Sequence, residues 1–107
     1  MSTEMTATVF DLAGAMPAIP AESIVSRTLY GDEQVKAVWF GFAPGQSLSE
    51  HTAVTPAIIH ILRGEADLTL GGEQRTVGAG AWVHMPAQLP HALVARTEVV
   101  MLLLLLK

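Results

Sequence analysis

Two short segments, each opened by a glycine, carry the clearest pattern in the chain: GQSLSEH over residues 45–51 and GAWVHMPAQLPH over residues 80–91. The first segment ends in His51 and the second in His91, each at the edge of a predicted strand. A neutral imidazole is the commonest metal ligand in proteins and also forms hydrogen bonds. If the strands close into one barrel, the two rings converge on a single interior point. The sequence therefore predicts where a functional site lies.

Runs of strand-forming residues alternate with turn signals on both sides of these segments. Glycines at 71 and 72 separate two of the runs and predict a β-hairpin, because glycine accepts the positive φ of a primed turn. Short strands at such close intervals indicate an all-β sandwich or barrel. No stretch keeps a helical period between capping residues, so we expect little helix. The predicted strands are residues 23–29, 34–42, 57–62, 66–70, 74–77, 81–85, 91–95 and 98–106.

The length of 107 residues fits one small domain. Residues 1–22 contain Gly14, Pro17 and Pro20, and we predict an irregular N-terminal arm there with one short strand near residues 7–11. Residues 23–107 are predicted to form a single barrel domain. No internal repeat or low-complexity linker divides them.

The composition predicts a hidden apolar surface. Half of the residues are hydrophobic and 15% are charged, against about 25% in an average domain. Residues 57–61 are apolar on both faces of their predicted strand except for His60. A small barrel whose wall is apolar outside as well as inside is expected to cover that wall with a partner, most simply a second copy. We therefore expect a homodimer.

Several classes of partner and chemistry are not expected. The net charge is −4 and the six basic residues are scattered, whereas nucleic-acid binding needs a basic stripe. Cysteine is absent, which excludes disulfides, thiolate nucleophiles and cysteine metal sites. The chain also lacks a phosphate-binding glycine loop, a nucleophile elbow and a dinucleotide fingerprint.

The apolar run at residues 99–106 has eight residues, whereas a membrane helix needs about 20. It predicts a buried terminal strand, and we expect no membrane partner. Residues 1–10 include Glu4 and no apolar run behind a basic start, so no signal peptide is predicted and we expect a cytoplasmic protein.

The two glycine-led segments resemble the paired motifs of the cupin superfamily, which are double-stranded β-helix (jelly-roll) barrels. The first family motif places five residues between a glycine and a histidine, as between Gly45 and His51, and closes on a glycine that Gly64 matches. The second motif matches at Gly80 and His91 and at the intervening proline. The resemblance covers about residues 34–106 and implies an all-β cupin barrel.

The departures from the family motifs bear on metal binding. In cupins that bind metal, two histidines and a glutamate of the first motif and the histidine of the second are the ligands. Here Ala53 and Ala57 stand at two of those four positions, so only His51 and His91 remain. The glycine of the second motif is Gln88. Because catalytic metal sites normally have three protein ligands, tight binding of a divalent iron, manganese, nickel, copper or zinc ion is not predicted.

A third donor would have to come from nearby side chains. Strand alternation predicts that Ile59 and Ile61 face inward together with Ala57, whereas His60 faces outward. His84 is kept as a candidate ligand-binding residue, since a bulge before the following proline would change which way it faces. The candidate donors are Glu50, Thr55, His60, His84 and Gln88.

Three functions remain open at this point. The first is a pocket without tight metal that binds a small molecule through His51, His91 and His84. The second is a metal-dependent enzyme of the dioxygenase kind, with His51 and His91 as ligands and the set completed by water, substrate or His84. The third is a structural or interaction barrel with a filled pocket. The metal content of the purified protein distinguishes the first function from the second. The pocket volume distinguishes the first from the third, because a ligand needs a cavity of a few hundred Å³. The fold does not decide whether the chain is an enzyme or which molecule it binds.

Overall fold

The computed structural model describes residues 5–12 and 18–107, and these residues form nine β-strands and no helix. The all-β prediction is therefore confirmed. The strands are β1 (Ile24–Gly31), β2 (Val35–Phe42), β3 (Ser47–His51), β4 (Ala57–Arg63), β5 (Glu65–Leu70), β6 (Glu73–Gly78), β7 (Trp82–Met85), β8 (His91–Ala95) and β9 (Val99–Leu106).

The strands form two antiparallel sheets, one in the order β1-β2-β9-β4-β7 and one in the order β3-β8-β5-β6. Strands β2 to β9 pair in a nested way: β2 with β9, β3 with β8, and β4 with both β7 and β9. This is the connectivity of a jelly roll, with β1 added at one edge. The predicted double-stranded β-helix is confirmed.

The strands predicted from residue 23 onward begin and end within two residues of their predicted limits. Two other segments differ from the prediction. Residues 47–51 form β3 although Leu48 is their only apolar residue, because pairing with β8 holds the strand in place. Residues 7–11 form no strand, so that prediction is wrong; their alternating pattern finds no neighbouring strand with which to pair. Gly14 and Pro17 of the predicted arm lie outside the described residues.

The core lies between the inner faces of the two sheets. On β4, Ala57, Ile59 and Ile61 are buried while His60 is only partly buried, which confirms the predicted alternation. The apolar run at the C-terminus forms β9, as predicted, and lies between β2 and β4 in the larger sheet. Val99, Val100 and Met101 are buried, whereas the rest of the strand is only partly buried. No polar or charged residue is buried anywhere in the described part of the chain. That part also contains no helix with the length and hydropathy that crossing a membrane requires.

The motif glycines have a conformational role. Gly45, Gly64 and Gly80 adopt φ of 84°, 90° and 90°, a region that side chains with a Cβ rarely enter. Gln88, which replaces the family glycine, also has a positive φ, of 69°. Its backbone N–H donates a hydrogen bond of 2.8 Å to the Ala53 carbonyl. The turn of the second motif is thus kept without its glycine.

The predicted hairpin between β5 and β6 is also confirmed. Leu70 pairs with Glu73 across a two-residue turn, in which Gly71 and Gly72 have φ of 58° and 86°. Positive φ at both central residues is the conformation of a type I′ turn.

Asp32 organises the turn between β1 and β2. One oxygen of its carboxylate accepts hydrogen bonds from the backbone N–H groups of Gln34 and Val35, and the other accepts one of 2.7 Å from the Tyr30 hydroxyl. The Tyr30 hydrogen bond, the two backbone hydrogen bonds and the charge of Lys107 hold the pKa of Asp32 below its usual value. The same hydrogen bond and the Asp32 charge raise the pKa of Tyr30.

These shifts predict the sign of a pH effect on stability. Because folding lowers the pKa of Asp32, this carboxylate stabilises the folded state. Its contribution to the free energy of unfolding is fully present above the unfolded pKa of about 3.9 and is lost as the pH falls below that value. Asp32→Asn should therefore be less stable than the wild type at pH 6, and the difference should shrink toward pH 3. Urea unfolding of both proteins at several pH values measures this. A difference that stayed constant down to pH 3 would contradict the account.

Candidate functional site

The pairing of β3 with β8 brings the two motif histidines together. His51 and His91 lie directly opposite each other in the antiparallel register. Their ring centroids are 4.1 Å apart and the ring planes are tilted by 60°. The predicted convergence of the two imidazoles is what the structure shows, and it arises as a cross-strand pair on one face of the four-stranded sheet.

A β-bulge places His51 on the inner side of β3, where the residue remains exposed to solvent. Leu48 pairs with Leu93, and the next pair is His51 with His91, so three steps along β3 match two steps along β8. Side chains three residues apart on a regular strand point to opposite faces. The extra residue restores the alternation, so His51 lies on the same inner side as Leu48.

Backbone carbonyls fix the orientation of both rings. Nδ1 of His51 lies 2.8 Å from the carbonyl oxygen of Ser49, and Nδ1 of His91 lies 2.9 Å from that of Leu89. A carbonyl oxygen only accepts hydrogen bonds, so each Nδ1 carries the proton and donates it. Each Nε2 is therefore the nitrogen available to a ligand, and in a neutral ring it bears a lone pair.

The two rings line one end of a narrow slot between the sheets. Its empty volume is about 310 Å³ when counted out to the open mouth, but the centre of a water molecule can move through only about 30 Å³ of it. The two imidazoles are the only polar side chains in the lining. The other lining residues are Leu48, Ile59, Leu68, Ala92, Leu93, Met101 and Leu103.

The structure places His84 away from this pair. His84 lies on β7 and is exposed, as is Trp82 two residues before it. Met85, the next residue, is buried. It lines a separate, wider groove between β6 and β7 that includes Trp82 and Arg75. His60 points out of the barrel as well, and Glu50 is exposed. Of the sequence-predicted site residues, only His51 and His91 are brought together.

The donor set does not fit a resident metal ion. Among residues 5–12 and 18–107, no group of three or more histidine, aspartate, glutamate or cysteine side chains could hold one. Two imidazoles that share a zinc ion at about 2.0–2.1 Å from each Nε2 have ring centroids about 4.5–5.5 Å apart. The observed 4.1 Å is shorter than that range. The two rings therefore lie closer together than a shared ion requires, and the described residues supply no third ligand beside them.

The apolar lining was not identified from the sequence. Met101 and Leu103 reach the slot from β9, where an unbroken apolar run hides which residues face inward. Leu48 and Leu93 belong to the same slot, and their role depends on the β3–β8 register. Strand alternation counted forward from His91 would have found Leu93, since the two are two residues apart on one strand.

Comparison with known proteins agrees with this architecture. Over 95% of this chain and 93% of the other, the structure resembles a cupin superfamily protein from Desulfitobacterium hafniense with a TM-score of 0.83 and 25% identity. A conserved protein of unknown function from Streptococcus pyogenes is 32% identical, with a TM-score of 0.82 over 99% and 92% of the two chains.

A cupin 2 conserved barrel domain protein from Leptotrichia buccalis is 31% identical over 92% of this chain and 47% of its own, with a TM-score of 0.81. No curated protein matches the chain. The sequence pattern of the cupin domain matches residues 38–106, which is more than half of the chain. The chain therefore belongs to the cupin family.

Proposed function

We propose that this cupin binds a small organic molecule at the mouth of the slot, without a tightly held metal ion. The observation that carries the proposal is the pair of hydrogen bonds from Nδ1 of His51 and His91 to backbone carbonyls. These bonds fix both rings before any ligand arrives, so the two Nε2 atoms form a ready pair of acceptors. Rigid polar groups at the rim of an apolar pocket are typical of small-molecule sites.

The lining restricts the chemical class of the ligand. Seven of the nine lining residues are apolar, so the inserted part of the ligand is expected to be apolar. The polar end should donate a hydrogen bond to an Nε2 atom, as a hydroxyl group does. The space open to the centre of a water molecule, about 30 Å³, is far below the few hundred Å³ of an ordinary ligand pocket, so only one end of a ligand can enter the slot and the rest must lie at its mouth.

Two other functions are supported more weakly. A metal-dependent enzyme is favoured by the imidazole orientation, because metal-bound histidines usually donate their second ring N–H to a carbonyl or carboxylate. The two-ligand donor set argues against it. A barrel with a filled pocket and a structural role is favoured by the small space open to water, about 30 Å³. The partly open mouth beside His51 and His91 argues against that role.

A matched pair of probes tests the proposal. Phenol and toluene have similar apolar bodies, but only phenol donates a hydrogen bond. We expect phenol to bind more tightly and to shift the side-chain ¹⁵N signals of His51 and His91 in NMR titrations. His51→Leu and His91→Leu should each weaken phenol binding about tenfold, since leucine accepts no hydrogen bond and the lost bond contributes about 1.4 kcal/mol here.

The control variants are His60→Leu and His84→Leu, which change histidines outside the slot. Both should bind phenol as the wild type does. Equal binding of toluene and phenol would show that the imidazoles contribute nothing. Failure of both probes to bind would favour the filled barrel.

A further inference from the structure

The barrel is open along one side, where the edge strands of the two sheets separate. Strand β6 is the last strand of the four-stranded sheet and β7 is the last strand of the five-stranded sheet. The groove between them is much wider than the slot, because the centre of a water molecule can move through about 500 Å³ of it. That volume is within the range of ligand pockets. We refer to it as the edge groove; its lining residues are Leu70, Glu73, Arg75, Val77, Ala81, Trp82, Val83 and His84.

The register of β5 and β6 places two charged residues on the inner side of the barrel, in the edge groove. Glu73 lies opposite Leu70, and Arg75 lies opposite Leu68. Residues directly opposite each other share a face of the sheet, and both leucines face the core. The five-stranded sheet ends at β7 and does not cover the charged side chains, so Arg75 and Glu73 remain 64% and 73% exposed. Both are therefore accessible from the groove.

Glu73 and Arg75 form an ion pair that a ligand can share. Nη2 of Arg75 lies 3.3 Å from Oε1 of Glu73. This contact uses one oxygen of the carboxylate and one nitrogen of a guanidinium that has five N–H donors. Ion pairs this exposed contribute little to stability, so a ligand can rearrange this one at small cost. Among the described residues that line the groove, no other carboxylate, ammonium or guanidinium group occurs. The groove thus presents one charge of each sign, side by side.

Most of the remaining lining is apolar. The partly buried side chains of Leu70, Val77 and Val83 pack against the core and also line the groove. Trp82 lines it from β7 and is 60% exposed. An indole ring offers a large apolar area for contact with a ligand. A charged pair beside this apolar surface suits a small molecule with a charged head and an apolar body.

We propose that the edge groove binds an apolar α-amino acid as its zwitterion. The ammonium group lies at Glu73, the carboxylate at Arg75 and the apolar side chain against Trp82. A ligand with a carboxylate alone is attracted by Arg75 but repelled by Glu73, and the reverse holds for a simple amine. An α-amino acid carries both charges around one carbon atom, so it can pair with both side chains at once. This site is independent of the one that we propose at His51 and His91.

Three compounds with the same phenyl group test the proposal by fluorescence titration. Phenylalanine carries both charges, phenethylamine only the ammonium group and 3-phenylpropionate only the carboxylate. Each should change the fluorescence of Trp82, and phenylalanine should bind about fivefold more tightly than either analogue, which is the effect of one exposed ion pair. The only other tryptophan, Trp39, is 2% exposed and should not respond. Trp82→Phe should therefore remove the signal.

Two variants should give opposite patterns of loss. Arg75→Gln should weaken the binding of phenylalanine and 3-phenylpropionate about fivefold and leave phenethylamine binding no weaker. Glu73→Gln should weaken phenylalanine and phenethylamine and leave 3-phenylpropionate binding no weaker. Arg96→Gln is the matched control, because Arg96 forms a similar ion pair of 3.2 Å with Glu65 but does not line the groove. It should bind all three compounds as the wild type does.

Four results would overturn the proposal. The first is equal affinity of the wild type for the three compounds, and the second is a fluorescence that none of them changes. The third is an equal loss of phenylalanine binding in Arg75→Gln and Arg96→Gln, since only the net charge would then matter. The fourth is a shift of the ¹⁵N signals of His51 and His91 by phenylalanine without a response of Trp82, which would place the ligand in the slot.

Discussion

Gly64→Ala is expected to lower the free energy of unfolding by about 3 kcal/mol or more, which is a large part of the stability of a small domain. Gly64 joins β4 to β5 with a φ of 90°, so any side chain there is strained. A Cβ at this position would also collide with the carbonyl oxygen of Glu98. That oxygen belongs to the backbone and cannot move aside as the end of a flexible side chain can. The midpoint of thermal unfolding should fall by roughly 12 °C or more.

Gly72→Ala separates the two causes. Gly72 has nearly the same φ, of 86°, but an added Cβ would meet no atom within 4 Å. Gly72→Ala should therefore lower the free energy of unfolding only through the strained backbone conformation, by about 1 kcal/mol. Urea unfolding of both variants gives the two values. If the losses were equal, the collision with Glu98 would have no energetic role.

Ala57→Glu is expected to destabilise the fold by about 3 kcal/mol or more at neutral pH when no metal is present. Ala57 is 2% exposed and lies between Met85 and Leu105 in the sheet. A carboxylate there has no partner, and the structure must either bury a charge or protonate it.

When Ala53→His is added to Ala57→Glu, zinc binding should restore the stability that Ala57→Glu loses. The two changes restore the residue types found at these positions in metal-binding cupins and bring the donor number to four. At 100 times its Kd, zinc should stabilise the double variant by about 2.7 kcal/mol, or more than 10 °C in the thermal midpoint. The same variant with His51→Ala should gain much less. No gain from zinc in either protein would mean that Ala53 and Ala57 do not face the histidine pair.

Much of the fold could be predicted from the sequence because its local signals are strong. Gly71 and Gly72 specify a hairpin, and the alternation through Ala57, Ile59 and Ile61 marks the inner face of β4. Strand β3 could not be recognised, because its only apolar residue is Leu48 and its existence depends on distant pairing with β8. Residues 7–11 had a strand-like pattern without a strand, since a strand requires a neighbour as well as a pattern.

The site was predicted in outline only. The motif spacing located His51 and His91. The two residues lie opposite each other because of a bulge in β3, and that bulge has no local sequence signal. His84 was a candidate for the same pocket, and its distance from the pair became clear only from the register of β7 with β4. The slot volume depends on how side chains from both sheets fill the space, which no local pattern determines.

The most direct test of a metal-free two-histidine site is the metal content of the native protein, purified without an affinity tag or added metal. We expect at most about a tenth of an equivalent of iron, manganese, nickel, copper or zinc per chain, because two imidazoles fall short of the usual three ligands. The variant carrying Ala53→His and Ala57→Glu is the positive control and should retain zinc through the same purification. Close to one equivalent in the native protein, lost in His91→Ala, would contradict the account and identify the site as a metal centre.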